Sequence, residues 1–323
     1  MRRLVLALLV LVVALIALPP LYFKIFPWQP PQLPGPDQRF AVRSGLMVNA
    51  VAKGSGPTVV LVHGLPGTGY DWTPLTDALT ARGFQVFAYD RIGYGRSDER
   101  PDDDFTIGAN ARDLLGLLES QNLRDVTIVG WSYGAPIAIE AAGRDASRIA
   151  RLVLVGGAGS QETADKPNAI QRMLFSEPVL AWLRAVPPAG RALQRAMSRE
   201  AFSGQPEPDW WLPQLAANMG ARGTMRSFQG ENASFIAGDA AIDPVTVGQP
   251  ILIVHGDDDR LVPLAAGEWV KGHARNAELV VIPGGSHMLP ITHTDELADR
   301  IAEFAKQPQA SAEGGAPTPA PAS

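Results

Sequence analysis

Apolar positions follow two rhythms that alternate along most of the chain. Short, nearly continuous apolar runs occur at Thr58–Val62, Phe84–Tyr89, Val126–Val129, Ile149–Val155, Ile251–Val254 and Leu279–Ile282. Most are rich in β-branched residues and all are too short for helices, which predicts strands buried on both faces. Between them, Trp72–Arg82, Ile107–Leu118, Ala135–Ala142, Leu264–Lys271 and Glu296–Phe304 read as helices, the first stopped by Gly83. Ahead of this series, Arg39–Arg43 and Leu46–Ala52 read as two strands of an edge hairpin turning at Ser44-Gly45. Strand alternating with helix predicts an α/β domain whose parallel sheet is covered on both faces, with ligands bound at the carboxyl ends of the strands.

Four stretches break the rhythm. Arg2 and Arg3 precede an uninterrupted apolar run from Leu4 to Leu18, and with Pro19-Pro20 and Leu21-Tyr22-Phe23 the segment reaches the roughly 20 residues that a membrane span needs. Ala14 and Ala17 are three apart and are closely followed by prolines, a poor match to a signal-peptidase site. Residues 1–23 are therefore read as an uncleaved signal anchor, or else a cleaved signal peptide. Either way the basic end stays in the cytoplasm, and the catalytic domain is exported: membrane-anchored, or secreted or periplasmic. Residues 24–38 carry five prolines and read as an extended spacer. Residues 160–243 hold no convincing strand, only Pro-punctuated amphipathic stretches with Met173, Phe175, Trp182, Trp210, Trp211, Met219, Phe228 and Phe235. They are expected to form a helical cap between two parts of the core, 39–159 and 244–306, with an apolar pocket beneath it. Residues 307–323, rich in Ala, Pro, Gly and Ser, read as a disordered tail.

Composition narrows the chemistry. A formal net charge of -5 without a long basic cluster leaves no electrostatic footprint for nucleic acid. With zero cysteines there are no disulfides, thiolate nucleophiles or Cys-ligated metals. No cofactor and no metal cluster is read from the chain.

The chemistry centres on Gly130-Trp131-Ser132-Tyr133-Gly134, set between a predicted strand and a predicted helix. Such a turn presents a serine at its apex, and its glycines relieve crowding where strand meets helix. A serine nucleophile needs a base, itself oriented by a third group. Of the five histidines, His287 is the best placed, in the Gly-rich loop Pro283–His287 after the last strand, while His273 sits in a polar, exposed segment. The acid is expected just beyond the strand Ile251–Val254, where Asp257, Asp258 and Asp259 stand together; spacing does not choose among them. Oxyanion donors are expected from the N–H of Tyr133, after the serine, and of Leu65, in the loop His63–Gly67.

The series His63-Gly64-x-Pro66-Gly67, Asp90-Arg91-x-Gly93-x-Gly95-x-Ser97, Gly130-x-Ser132-x-Gly134, Gly256-x-x-Asp259-x-x-Val262-Pro263 and Gly285-Ser286-His287 resembles the α/β-hydrolase fold family, serine-nucleophile branch with a helical cap. The resemblance spans roughly residues 40–305. It implies a mostly parallel eight-stranded sheet, the chain order Ser, Asp, His, and Asp259 as the acid. Branches with an aspartate nucleophile or cap tyrosines are disfavoured: Ser132 stands at the elbow, and all five tyrosines lie outside the cap. The expected activity is hydrolysis of small, largely apolar carboxylic esters without a cofactor. The rivals are carbon–carbon bond hydrolysis of a diketone-like substrate, and a proline-type aminopeptidase whose cap carboxylate, Glu177, Glu207 or Glu231, holds the substrate ammonium. A more remote rival is a non-catalytic receptor for a small apolar ligand. Oligomeric state has no sequence signal.

Overall fold

The computed structural model describes residues 2–26, 32–33, 38–42, 45–157, 179, 182–183, 185–221, 223–238 and 243–307. Most of the Pro-rich spacer, the first part of the expected cap (including Met173, Phe175 and Glu177) and the tail beyond Gln307 lie outside the described residues.

Eight strands form one sheet: β1 Arg39–Ala41, β2 Met47–Lys53, β3 Thr58–Val62, β4 Gln85–Tyr89, β5 Val126–Trp131, β6 Ile149–Val155, β7 Ile251–Gly256 and β8 Ala277–Ile282. Their order across the sheet is β1-β2-β4-β3-β5-β6-β7-β8. The hairpin β1–β2 and the β2–β4 pair are antiparallel, and every pair from β4 to β8 is parallel. Each predicted strand lies within two residues of its expected bounds.

Alternation within the strands sends side chains to two separate cores. From β3, Val60 and Val62 join a core with helices α3 (Ile107–Ser120) and α4 (Gly134–Arg144), through residues such as Leu114 and Ile137. Val59 and Leu61, one step out of phase, join the opposite core with α2 (Thr73–Ala81) and the C-terminal helix Thr294–Lys306, through Leu75, Leu79, Ile301 and Phe304. The two-residue period of a strand thus loads both faces. Each fully buried Leu, Ile or Val contributes about 1.5–3 kcal/mol.

Between β6 and β7 the chain leaves the sheet and builds α5 (Pro187–Ala201), α6 (Trp211–Gly220) and α7 (Thr224–Ala237); α8 (Leu264–His273) follows β7, and α9 is the C-terminal helix. The described part of the insertion is helical, as its amphipathic pattern predicts.

The apolar N-terminal stretch forms α1, Arg2–Ile25, running through Pro19 and Pro20. Pro20 has no N–H to give the carbonyl four residues back, and that carbonyl, of Ile16, instead accepts the indole N–H of Trp182 at 2.9 Å. Leu11 and Leu18 are more than half exposed. The side chains of residues 2–9, 12 and 15 lie outside the description, and among the described residues no helix is long and apolar enough to cross a membrane. The signal-anchor expectation gains no support from the fold.

Backbone approaches backbone very closely where α4 crosses β3. A Cβ on Gly134 would sit 2.1 Å from the backbone oxygen of Val62, and one on Gly130 would sit 2.4 Å from the oxygen of Gly134. Strand and helix can meet this tightly only without side chains at both positions. Gly134→Ala is expected to cost about 1–3 kcal/mol through forced overpacking, read as a fall of several degrees in melting temperature. An unchanged melting temperature would show that the crossing is looser than described.

Candidate active site

Ser132, Tyr133, Leu65, Asp259 and His287 all follow the carboxyl ends of sheet strands. β5 runs into Ser132, which adopts φ 54°, a conformation unusual for a residue with a side chain. Its N–H donates to the Val155 carbonyl at 2.9 Å, pinning the turn to β6, and α4 begins immediately afterwards at Gly134. The positive end of the helix dipole therefore lies at the serine turn.

β8 leads to His287. The imidazole Nδ1–H donates to Asp259 Oδ2 at 2.8 Å, with both side chains almost fully buried. With that proton on Nδ1, Nε2 is the basic nitrogen of the ring. Asp259 is held in turn: Oδ1 accepts the N–H of Leu261 at 2.9 Å and of Val262 at 2.8 Å. Burial alone would raise the Asp259 carboxyl, but the facing His287, its hydrogen bond and the Val262 N–H outweigh it and hold the group below the ordinary carboxylate range.

The neighbouring aspartates do other things. Asp257 is exposed and accepts the N–H of Gly284 at 2.6 Å, tying the loop that carries Asp259 to the loop that carries His287. Asp258 is half exposed beside Arg260. Neither of these bonds involves the imidazole, which faces Asp259.

Two adjacent glycines lie between the Ser132 turn and the Asp259–His287 pair. A Cβ on Gly157 would sit 3.5 Å from the Ser132 carbonyl oxygen, and one on Gly156 would sit 3.1 Å from Asp259 Oδ2 and 3.5 Å from His287 Nδ1. Ser132 and His287 line one cavity of about 610 Å³, together with Leu65. On its far side the loop after β3 presses on the turn, since a Cβ on Gly64 would lie 2.9 Å from Ser132 Cβ. The structure thus brings together Ser132, Asp259, His287, Leu65 and Tyr133. Asp259 and Tyr133 stand just behind the cavity wall.

The rest of the wall comes largely from the insertion. Met197, Trp211, Leu215, Met219, Met225 and Phe228 face the cavity, and no carboxylate lines it among the described residues. Of the insertion aromatics expected there, Trp211 and Phe228 line it, while Trp182, Trp210 and Phe235 do not. Glu231 is not available to a substrate, because it is buried against Arg91 at 2.5 Å; Glu207 is not part of the lining.

Two residues near the site carry roles that spacing did not reveal. The indole N–H of Trp131 donates to the His287 carbonyl at 2.9 Å, so the residue before Ser132 fixes the backbone of His287. His255, fully buried, donates through Nε2 to the Val262 carbonyl at 2.9 Å and lies 3.6 Å from Asp259 Oδ2, bracing the acid loop. Burial lowers its pKa, which keeps that imidazole neutral. A Trp beside the nucleophile and a His at a strand end were both visible in the sequence, but only contacts 156 and 7 residues away give them meaning.

The chain is similar to known proteins over most of its length. A putative non-heme chloroperoxidase of Synechocystis is 28% identical over 261 residues, 78% of this chain and 92% of that one. A 2-hydroxy-6-oxononadienedioate/2-hydroxy-6-oxononatrienedioate hydrolase of Paraburkholderia xenovorans is 26% identical over 260 residues, covering 76% and 86%. Among solved structures, an esterase from Exiguobacterium antarcticum superposes with a TM-score of 0.71 at 18% identity, covering 84% of this chain and 100% of that one, a likeness of fold. A family model described as alpha/beta hydrolase fold matches residues 57–294, and the chain therefore belongs to that family and is an enzyme of the hydrolase class.

Proposed function

We propose that the chain cleaves carboxylic esters of small, largely apolar substrates through an acyl-enzyme. Ser132 Oγ attacks the acyl carbon while His287 Nε2 takes its proton. The tetrahedral oxyanion is held by the N–H groups of Leu65 and Tyr133 at the head of α4. Collapse expels the alcohol, which receives the proton from His287. Water, deprotonated by the same nitrogen, then attacks the acyl-enzyme and releases the acid. Asp259 stabilises the imidazolium formed in both halves.

The observation that carries this reading is the His287–Asp259 pair at 2.8 Å, buried at one end of an apolar cavity that Ser132 also lines. Of the carboxylates an aminopeptidase would use for the substrate ammonium, Glu231 is paired with Arg91 and Glu207 is not on the cavity lining. Carbon–carbon bond hydrolysis remains the second reading, supported by the likeness to the Paraburkholderia hydrolase.

The purified protein is expected to react with a fluorophosphonate probe at Ser132 and to turn over p-nitrophenyl esters faster than a vinylogous diketone or a proline arylamide. Ser132→Ala should abolish labelling and lower ester turnover by about 10⁴-fold or more. Labelling that persists in the Ala variant, or faster cleavage of the diketone, would overturn the assignment of nucleophile or of substrate respectively.

Export of the catalytic domain belongs to the same proposal and is supported by the sequence alone, through Arg2-Arg3 and the apolar run that follows. Protease added outside intact cells whose outer envelope has been permeabilised is expected to degrade the hydrolase domain. A fully protected domain would place it in the cytoplasm.

A further inference from the structure

Arg91 sits where three parts of the molecule meet. It follows β4 and is 1% exposed, as is its partner Glu231 on α7 of the insertion. Nη1 donates to Glu231 Oε1 at 2.5 Å and Nη2 to Oε2 at 3.1 Å, a two-pronged pairing. The same carboxylate accepts the Tyr94 hydroxyl at 2.7 Å and Asn110 Nδ2 at 2.9 Å. Burying such a pair is an expensive way to fasten one element to another, and apolar side chains of similar volume would often hold as well or better. What apolar side chains could not supply is found on the other side of the guanidinium.

There Nη2 also donates to the Gly64 carbonyl at 3.1 Å, and Cζ lies 5.2 Å from the centroid of the Tyr133 ring. Gly64 precedes Leu65, and the Gly64 carbonyl and Leu65 N–H belong to one planar peptide unit in which they point in opposite directions. Fixing the oxygen therefore fixes the direction of the hydrogen. The backbone of Arg91 acts on the same peptide at second hand: its N–H donates to His63 Nε2 at 3.0 Å, which leaves the His63 proton on Nδ1, donated to the Gly64 carbonyl at 2.9 Å. Burial first, and then the Arg91 charge, hold His63 well below the ordinary imidazole range, so Nε2 stays an acceptor.

We propose that Arg91, clamped by Glu231, is a positioning residue that couples the seat of the insertion helix α7 to the direction of the Leu65 N–H. This rests on the reading of Leu65 and Tyr133 as oxyanion donors. A shift of α7 then reaches the reacting centre through two hydrogen bonds and one rigid peptide, and the oxyanion site is complete only while the insertion is seated.

The test compares wild type with Arg91→Met, Glu231→Leu and the double variant. Each is measured for melting temperature, for kcat and KM on p-nitrophenyl butyrate, and for inhibition by an aliphatic trifluoromethyl ketone, whose adduct with a serine carries the oxyanion. The single variants strand a buried charge and should melt lower, whereas the double variant removes both charges and should melt higher than either single variant. Its kcat is nevertheless expected to stay about 10- to 100-fold low, with KM within about threefold and affinity for the ketone weakened by the same factor as kcat. A double variant that regains kcat along with its melting temperature would show a purely structural pair. Low kcat with undiminished ketone affinity would also overturn the coupling. If the wild type takes the ketone covalently yet hydrolyses no ester, the ester reading falls and the ketone affinities alone decide the coupling. If it takes neither, both fall.

Discussion

The structure depends on one steric constraint: β5 must reverse into α4 within a few residues while that helix passes directly over β3. Ser132 is left at φ 54° with its N–H tied to Val155, and Gly130 and Gly134 give up side chains so that backbone can touch backbone. Strain of this kind persists only where the surroundings over-determine it. Here they do, since the turn is gripped by the sheet on one side and by the Gly64 loop on the other. The same tightness brings the head of α4 and the loop after β3 to one point, where a developing negative charge would be met by fixed dipoles that need no rearrangement.

Around that point the loops hold one another. Asp257 receives the N–H of Gly284, the N–H of Asp258 reaches the Gly285 carbonyl, and a Cβ on Gly256 would lie 2.1 Å from that same oxygen. The acid loop and the base loop are thus one unit. Trp131 joins it to the nucleophile through the His287 carbonyl. His255 secures the other end through Val262, whose own N–H binds Asp259. Parts supplied by three strands are locked in register by main-chain bonds, with few free rotamers between them, as preorganised electrostatics requires.

Much of this was legible in the sequence because it is local. Buried strands announce themselves as short apolar runs, and the serine between two glycines sits visibly at a strand–helix border. Register across the sheet and the fate of individual polar groups were not legible, because they depend on residues far apart in the chain. Three consecutive aspartates look alike until Leu261 and Val262 turn back their N–H groups onto Asp259 alone. Glu231 looked like a carboxylate available to a substrate ammonium, yet it is consumed by Arg91, 140 residues away. Arg91 itself was visible only as one letter of a motif. The insertion's aromatics divided between cavity and packing in a way no periodicity encodes, since Trp210 and Trp211 are adjacent and only Trp211 faces the cavity.

A largely apolar cavity lined by Ser132 and the His287 imidazole, with the Asp259 carboxylate fixed behind that ring, is suited to moving an acyl group from an alcohol to water. The intermediate that defines this chemistry can be caught with p-nitrophenyl pivalate, whose hindered acyl group slows deacylation. Acid quenching during turnover, followed by intact and peptide mass measurement, should show one pivaloyl group per chain, located on Ser132. Sustained release of p-nitrophenol with no adduct on Ser132, or with the acyl group on another residue, would contradict an acyl-enzyme at this serine.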